Sequence, residues 1–261
     1  LDLSPQPLHD FLAARPTRRL GHYFETLVEF WLTQMPDTHI IAINLQVKDK
    51  RRTLGEYDFL FRDASGAVCH WETAVKFYLQ EEPLAEPRAF IGPGTRDRLD
   101  LKLERVFRHQ LLLEHTPAGQ LALPGGLRPD KARAFIKGYL FYHVPALNHL
   151  PVGGVSAAHL CGWWARHAID PLPQASAESR WVIQPRLRWL APVLLATEAV
   201  VMTFTQLNIM LHGHFSLGGE ALLVFELART ETGEWREISR GFVVCGAWPA
   251  LTRNSINTGT Q

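Results

Sequence analysis

The sequence has few cysteines and no long apolar run. Its three cysteines, Cys69, Cys161 and Cys245, lie far apart, so they form neither a disulfide framework nor a paired metal-ligand motif. Such cysteine usage is typical of a reducing compartment, and we expect a cytoplasmic protein. No apolar stretch reaches the roughly 18 residues that span a bilayer, so we expect no membrane partner. The first fifteen residues also lack the order of basic and apolar residues found in a signal peptide.

An excess of charge of one sign is also missing. The 261 residues include 27 Lys and Arg against 26 Asp and Glu, a formal net charge of +1. A polyanionic partner must therefore be held by a local basic patch, because the bulk charge does not attract it. The chain contains no HExxH helix, no GxxxxGK phosphate-binding loop and no GxSxG nucleophile elbow. These absences exclude the corresponding classes of enzyme.

The spacing of apolar residues predicts an α/β chain. A helix is predicted at 18–33, where apolar residues recur at helical spacing. Three strands, a helix, a loop and a strand are then predicted at 39–47, 55–62, 68–79, 95–115, 117–129 and 133–143. Beyond residue 144 the pattern predicts a helix at 159–167, a strand at 180–189, a helix at 197–211 and a hairpin that pairs 221–228 with 234–244.

Two acidic residues lie on neighbouring predicted strands. Asp58 is in the first, Glu72 follows fourteen residues later in the second, and Lys76 stands four residues beyond. A three-residue loop at 64–66, with Gly66 at positive φ, places Asp58 opposite Glu72, and Lys76 shares the face of Glu72. A two-residue loop would put the two carboxylates on opposite faces. The loop length therefore decides whether a shared site can form.

Facing carboxylates repel each other unless a cation lies between them. Mg²⁺ or Mn²⁺ suits this arrangement, because a hard divalent ion takes oxygen ligands and completes its shell with water and phosphate. Such an ion polarises a phosphodiester, and Lys76 could orient the attacking water. The alternative is a solvated sheet face on which Glu56 or Glu72 pairs with Lys76. The apolar residues around both motifs favour a buried strand, whose charges need a function.

The order of these elements resembles the PD-(D/E)XK nuclease superfamily, whose restriction-endonuclease-like core has the order helix, three strands, helix, strand. The resemblance covers about residues 18–143. It implies a nuclease-like core at 1–143 with a mixed sheet flanked by helices, and an α+β C-terminal region at 144–261. Four segments are also similar to an uncharacterised bacterial family known by the label DUF1853, namely 20–25, 55–58, 70–79 and 92–97.

The resemblance implies roles for the residues that match the superfamily. Asp58 is then the metal-binding acid, Lys76 the family's lysine and Glu25 an added carboxylate on the first helix. Nucleases of this superfamily often carry a glutamine beside the active site on the second helix, which corresponds to Gln110. The alternative is that Gln110 has only a structural role, as a buried side chain hydrogen-bonded to a nearby backbone group.

The sequence departs from the superfamily at residue 74. The second acid normally stands two residues before the lysine, where this chain has Ala74. Glu72, one pleat further back, or Glu56, opposite Ala74, could supply the missing carboxylate. If neither reaches the ion, the protein is an inactive relative that binds nucleic acid or a protein partner.

A basic stripe on the helix predicted at 95–115 offers a local patch for a polyanion. Arg98, Lys102 and Arg105 recur at helical spacing and could contact phosphates of DNA or RNA. The alternative is a solvated helix face with acidic neighbours as partners. Together these patterns predict a Mg²⁺-dependent nuclease with Asp58 and Glu72 as metal ligands, or an inactive relative.

Overall fold

A computed structural model describes residues 5–144 and 151–250 of the chain. The described part is mixed α/β, with helices and a ten-stranded mixed sheet. The helices are α1 (Pro5–Ala13), α2 (Leu20–Gln34), α3 (Leu99–Arg108), α4 (Pro117–Ala122) and α5 (Phe204–Ser216). The strands are β1 (His39–Asp49), β2 (Arg52–Arg62), β3 (Val68–Gln80), β4 (Phe90–Ile91), β5 (Lys131–His143), β6 (Leu160–Arg166), β7 (Arg180–Ile183), β8 (Leu194–Leu195), β9 (Leu222–Arg229) and β10 (Trp235–Val244).

The chain divides into two compact units. Unit 1 comprises Leu1–Lys76 and Lys102–Lys137, and unit 2 comprises Phe77–Leu101 and Gly138–Gln261. The boundary at residue 143 that the family resemblance implies stays a prediction. No helix among the described residues is both long enough and apolar enough to cross a bilayer.

The β2–β3 hairpin has the predicted register. Phe59 pairs with Trp71, and the ladder continues from there to the turn. Gly66 has a φ of 83°, and Asp63 Oδ1 accepts a hydrogen bond from the backbone N–H of Ser65 at 2.9 Å. This turn chemistry fixes a three-residue loop, because glycine adopts positive φ without steric cost and aspartate stabilises the first position.

The hairpin of unit 1 is covered on both faces, which explains why its polar residues are buried. On one face, Trp71 stacks against Phe135 at 5.2 Å between ring centroids and lies 5.7 Å from Trp31 of α2. On the other face, a cluster includes Tyr57 and Leu113 and receives residues from α4. A strand with apolar cover on both sides is central to a sheet, as the sequence predicted for this hairpin.

The predicted helix at 95–115 is wrong in length. The α-helix α3 ends at Arg108, and His109 has the non-helical angles φ −131° and ψ −64°. A 3-10 segment, Gln110–His115, follows, in which Gln110, Leu111 and Leu113 are all buried. In a 3-10 helix residues three apart eclipse each other, which places Gln110 and Leu113 on the same side. The predicted loop at 117–129 is also wrong in part, because it contains α4.

The region beyond residue 144 was predicted less well. The helix expected at 159–167 is strand β6, which lies between two parallel neighbours and is apolar on both faces. The strand expected at 180–189 ends at Ile183, just before Pro185, and the helix expected at 197–211 begins only at Phe204. The final hairpin, β9 with β10, is confirmed.

Unit 2 has its own core and one buried cation. The core is formed by Trp163, Ala165, Trp181, Leu207, Leu211, Val224 and Val243. Arg240 is 3% exposed, pairs with Glu237 and donates to the Trp189 carbonyl oxygen at 2.7 Å. Its guanidinium also lies over the Tyr139 ring at 4.2 Å. A buried cation with these partners has its hydrogen bonds satisfied, so the loss of one partner would destabilise the fold.

Candidate active site

Asp58 lies where the backbone pairing between β2 and β3 ends. The backbone ladder between the strands ends at Phe59 and Trp71, and Asp58 and Glu72 are the next residues in this register. Asp58 Oδ2 accepts hydrogen bonds from the Thr73 backbone N–H at 2.7 Å and from its hydroxyl at 3.1 Å. The side chain of Asp58 therefore takes the place of a strand partner for Thr73.

The regular alternation of side chains is interrupted around Asp58. On β1, Asn44 has a φ of 51° and stands between the residues that pair with Phe59 and Tyr57. Tyr57 and Leu60 are three residues apart, yet both pack into the same apolar cluster, which strict alternation does not allow. Strand periodicity alone therefore does not give the direction of the Asp58 side chain.

Burial dominates the electrostatics of Asp58. The residue is 6% exposed, and this desolvation raises the pKa of its carboxyl to about 6. The two hydrogen bonds from Thr73 oppose the rise, whereas the negative charges of Glu25 and Glu56 add to it. Two of the acids that the sequence predicted as ligands, Glu25 on α2 and Glu56 on β2, thus lie close enough to Asp58 to affect its charge.

Glu72 is the second buried carboxylate, and two donors hold it. Gln110 Nε2 donates to Glu72 Oε2 at 3.3 Å, and Lys102 Nζ lies 3.5 Å from Oε1. The amide of Gln110 has room because residue 55 is glycine: a Cβ on Gly55 would lie 2.5 Å from Gln110 Oε1. The predicted role of Gln110 as a polar group on the buried side therefore has a concrete partner.

Glu72 is also harder to ionise than an ordinary glutamate. Its pKa is raised to about 7, first by burial and then by the charge of Asp58. The nearby ammonium of Lys102 and the Gln110 hydrogen bond act in the opposite direction. The two carboxylates thus repel each other in a largely buried place, which suits a shared cation or a shared proton.

Two other residues of the predicted site are only partly buried. Glu25 lies 3.2 Å from His22 Nδ1 on the same helix, and Lys76 is half-buried on β3. Within residues 5–144 and 151–250, no three His, Cys, Asp or Glu side chains come together closely enough to hold an ion by themselves. A hard divalent cation needs only one or two protein carboxylates, so the pair Asp58 and Glu72 has the right donor set.

The three residues of the predicted basic stripe have different surroundings. Arg98 Nε lies 2.6 Å from Asp100 Oδ1, Lys102 contacts Glu72, and Arg105 is exposed on α3. The sequence analysis missed the contact between Lys102 and Glu72. No local signal indicates it, because Glu72 precedes Lys102 by thirty residues in the sequence.

A further polar cluster escaped the sequence analysis. His70 is fully buried, and its Nδ1 lies 3.4 Å from Glu114 Oε2. The Tyr57 hydroxyl, both ring nitrogens of His70 and Glu114 Oε2 are buried without a hydrogen-bond partner. Burial and the charge of Glu114 raise the pKa of Tyr57 to about 12. Since His70 stands two residues before Glu72, this cluster borders the carboxylate pair along β3.

Comparison with known proteins gives one match. A family model described as "Domain of unknown function (DUF1853)" matches residues 1–244, which is well over half of the chain. No curated protein matches the chain, and no solved structure matches it.

Proposed function

The chain belongs to the DUF1853 family of domains of unknown function, and we propose that it is a Mg²⁺-dependent nuclease that hydrolyses phosphodiester bonds in DNA or RNA. The observation that carries this proposal is the buried pair Asp58 and Glu72. Two carboxylates that repel each other in a low-dielectric place destabilise a fold unless a cation or proton joins them. A hairpin with only a structural role does not require two buried carboxylates.

The order of elements supports placing unit 1 near the PD-(D/E)XK superfamily. The sequence α2, β1, β2, β3, α3, β5 follows the order of that core, with Asp58 on β2 and both Glu72 and Lys76 on β3. We propose this likeness as part of the same hypothesis. It accounts for the acid on one strand and the acid and lysine on the next.

In this proposal Asp58 and Glu72 hold a Mg²⁺ or Mn²⁺ ion, while Glu25 and Glu56 add negative charge around Asp58. When bound, the ion polarises the phosphodiester and makes its water more acidic. The donors from Thr73 orient the carboxylate of Asp58 towards the gap between the strands.

Other side chains then act around the bound phosphate. Gln110 fixes the rotamer of Glu72 through its hydrogen bond. Lys76, on the same strand as Glu72, orients the attacking water. Lys102 adds a positive charge beside the site, where negative charge develops on the phosphate in the transition state.

One observation favours a second candidate function. Ala74 occupies the position two residues before Lys76, and Glu72 stands about 13 Å along the strand from that lysine rather than about 7 Å. A protein whose acids do not reach a common ion would be an inactive relative that binds nucleic acid or a protein partner. Binding that falls steeply with salt, with no turnover and no response to metal, would select this candidate.

The test is cleavage of mixed DNA and RNA substrates with Mg²⁺ or Mn²⁺. Asp58→Asn keeps the acceptor for Thr73, and Lys76→Ala removes the proposed water-orienting cation; we expect each to lower the cleavage rate at least about a hundredfold. Glu104→Gln serves as the control, because Glu104 is an exposed acid on α3. Unchanged cleavage in both Asp58→Asn and Lys76→Ala would remove the assigned site.

A further inference from the structure

The turn between β1 and β2 carries a dense group of positive charges. We call its four cations, Lys48, Lys50, Arg51 and Arg52, the basic tip. All four are exposed, and in the part of the chain that the structure describes none of them forms an ion pair. Arg98 and Lys102, by contrast, are each held by a carboxylate. The basic tip is therefore available to an external anion.

The backbone conformation of the basic tip indicates that its positive charges do not serve to stabilise the fold. Lys50 has a φ of 52°, a left-handed conformation that glycine adopts without steric cost and lysine does not. The chain thus places a cation where the turn itself would be better served by glycine. Strained residues that keep their side chains are often found at functional positions.

The basic tip is continuous with the strand that carries Asp58. Arg52 begins β2, and Asp58 stands six positions further along, a distance of about 20 Å on the strand. Successive phosphates of a duplex strand advance by about 3.4 Å along the helix axis, so this distance corresponds to roughly six nucleotides. A nucleic acid bound at the carboxylate pair therefore extends far enough to reach the basic tip.

We infer that the basic tip binds the phosphate backbone of the nucleic acid, roughly six nucleotides from the bond at the carboxylate pair. The inference rests on the proposed function for its class of ligand, but it requires neither a metal nor turnover. Contacts of this kind are electrostatic and independent of sequence, and they give binding a strong dependence on salt.

The experiment measures binding by fluorescence anisotropy in EDTA, over a series of salt concentrations, with a labelled DNA duplex and a labelled RNA hairpin. The double variant Lys50→Gln/Arg51→Gln is expected to bind at least about tenfold more weakly near 0.1 M salt, and its salt slope should be less negative by about two. The control is Arg188→Gln/Arg236→Gln, which removes two exposed charges from unit 2. It should bind within about twofold of the wild type. The DNA and RNA arms identify which nucleic acid is preferred.

A second variant separates binding from folding. Lys50→Gly removes the charge and also relieves the strained φ, so its unfolding midpoint should not fall while its affinity does. The inference is overturned if the tip variants bind as the wild type does, if the control weakens as much, or if the tip mediates binding only to vesicles of anionic lipid. Because Asp58 is intact throughout, binding in EDTA that depends on the tip, together with no cleavage of the same substrates in Mg²⁺ or Mn²⁺, would refute the nuclease proposal alone. Cleavage without such dependence would refute the tip alone.

Discussion

Asp58→Asn tests whether the carboxylate pair is under electrostatic strain in the absence of a cation. The amide oxygen of asparagine can still accept both hydrogen bonds from Thr73, so the main change is the loss of one negative charge. A rise in the pKa of Asp58 from 3.8 to about 6 corresponds to ~3 kcal/mol of destabilisation once the group is ionised. Because the asparagine is also polar and buried, we expect a net gain of about 1–3 kcal/mol in the free energy of unfolding at pH 8.

The pH dependence of that gain has a definite sign. The folded protein keeps the protons of Asp58 and Glu72 up to about pH 6 and about pH 7, whereas the unfolded chain releases them near pH 4. The wild type is therefore most stable, as far as these two groups are concerned, below about pH 4, and it loses that stability as the pH rises through 6 and 7. The advantage of Asp58→Asn should accordingly be small near pH 4 and largest near pH 8.

Urea unfolding in EDTA at several pH values between about 4 and 8 measures this difference. Subtracting the wild type from the variant cancels the titration of groups that do not interact with Asp58, so the difference contains Asp58 and its effect on Glu72. Glu104→Gln on the exposed side of α3 controls for the loss of a surface charge. A variant that is less stable than the wild type by the same amount at every pH would show that the charge of Asp58 does not destabilise the fold. Asp58 would then act only as a hydrogen-bond acceptor.

Three further substitutions probe the surroundings of the pair. Gly55→Ala must displace Gln110 from Glu72 and should lower cleavage at least about tenfold, whereas Gly21→Ala, which meets nothing within 4 Å, should leave the cleavage rate unchanged. Tyr57→Phe removes a buried hydroxyl without a partner and should raise the free energy of unfolding by up to about 1 kcal/mol in urea titrations; a loss of that size would reveal a missed partner. Gly66→Ala places an alanine at a φ of 83° and should lower the free energy of unfolding by about 1–2 kcal/mol, while the folded protein binds metal as before. A metal affinity that also fell would show that the turn shapes the site directly.

The part of the site that the sequence predicted best is the part that local turn chemistry determines. Asp63 and Gly66 specify a three-residue loop, and the loop specifies the register that brings Asp58 next to Glu72. The apolar residues around both acids also indicated that the strands are covered on both faces. These inferences need only neighbouring residues, so a single sequence contains enough information for them.

The rest depended on contacts between distant parts of the chain. Periodicity extended α3 through Gln110, whereas the chain leaves the α-helix at His109 and buries Gln110 beside Gly55. Lys102 was grouped with cations that face solvent, because its partner Glu72 is thirty residues away in the sequence. Strand β6 was mistaken for a helix, since a short apolar run carries no period that separates the two.

The proposed function requires Asp58 and Glu72 to share one divalent cation. Anomalous diffraction from crystals soaked in Mn²⁺ tests it most directly, since it locates the ion without reference to activity. We expect one peak about 2.1–2.3 Å from a carboxylate oxygen of each residue in the wild type, and no peak there in Asp58→Asn. Diffraction that shows the wild-type pair without such a peak, and Lys102 still against Glu72 at saturating Mn²⁺, would contradict it.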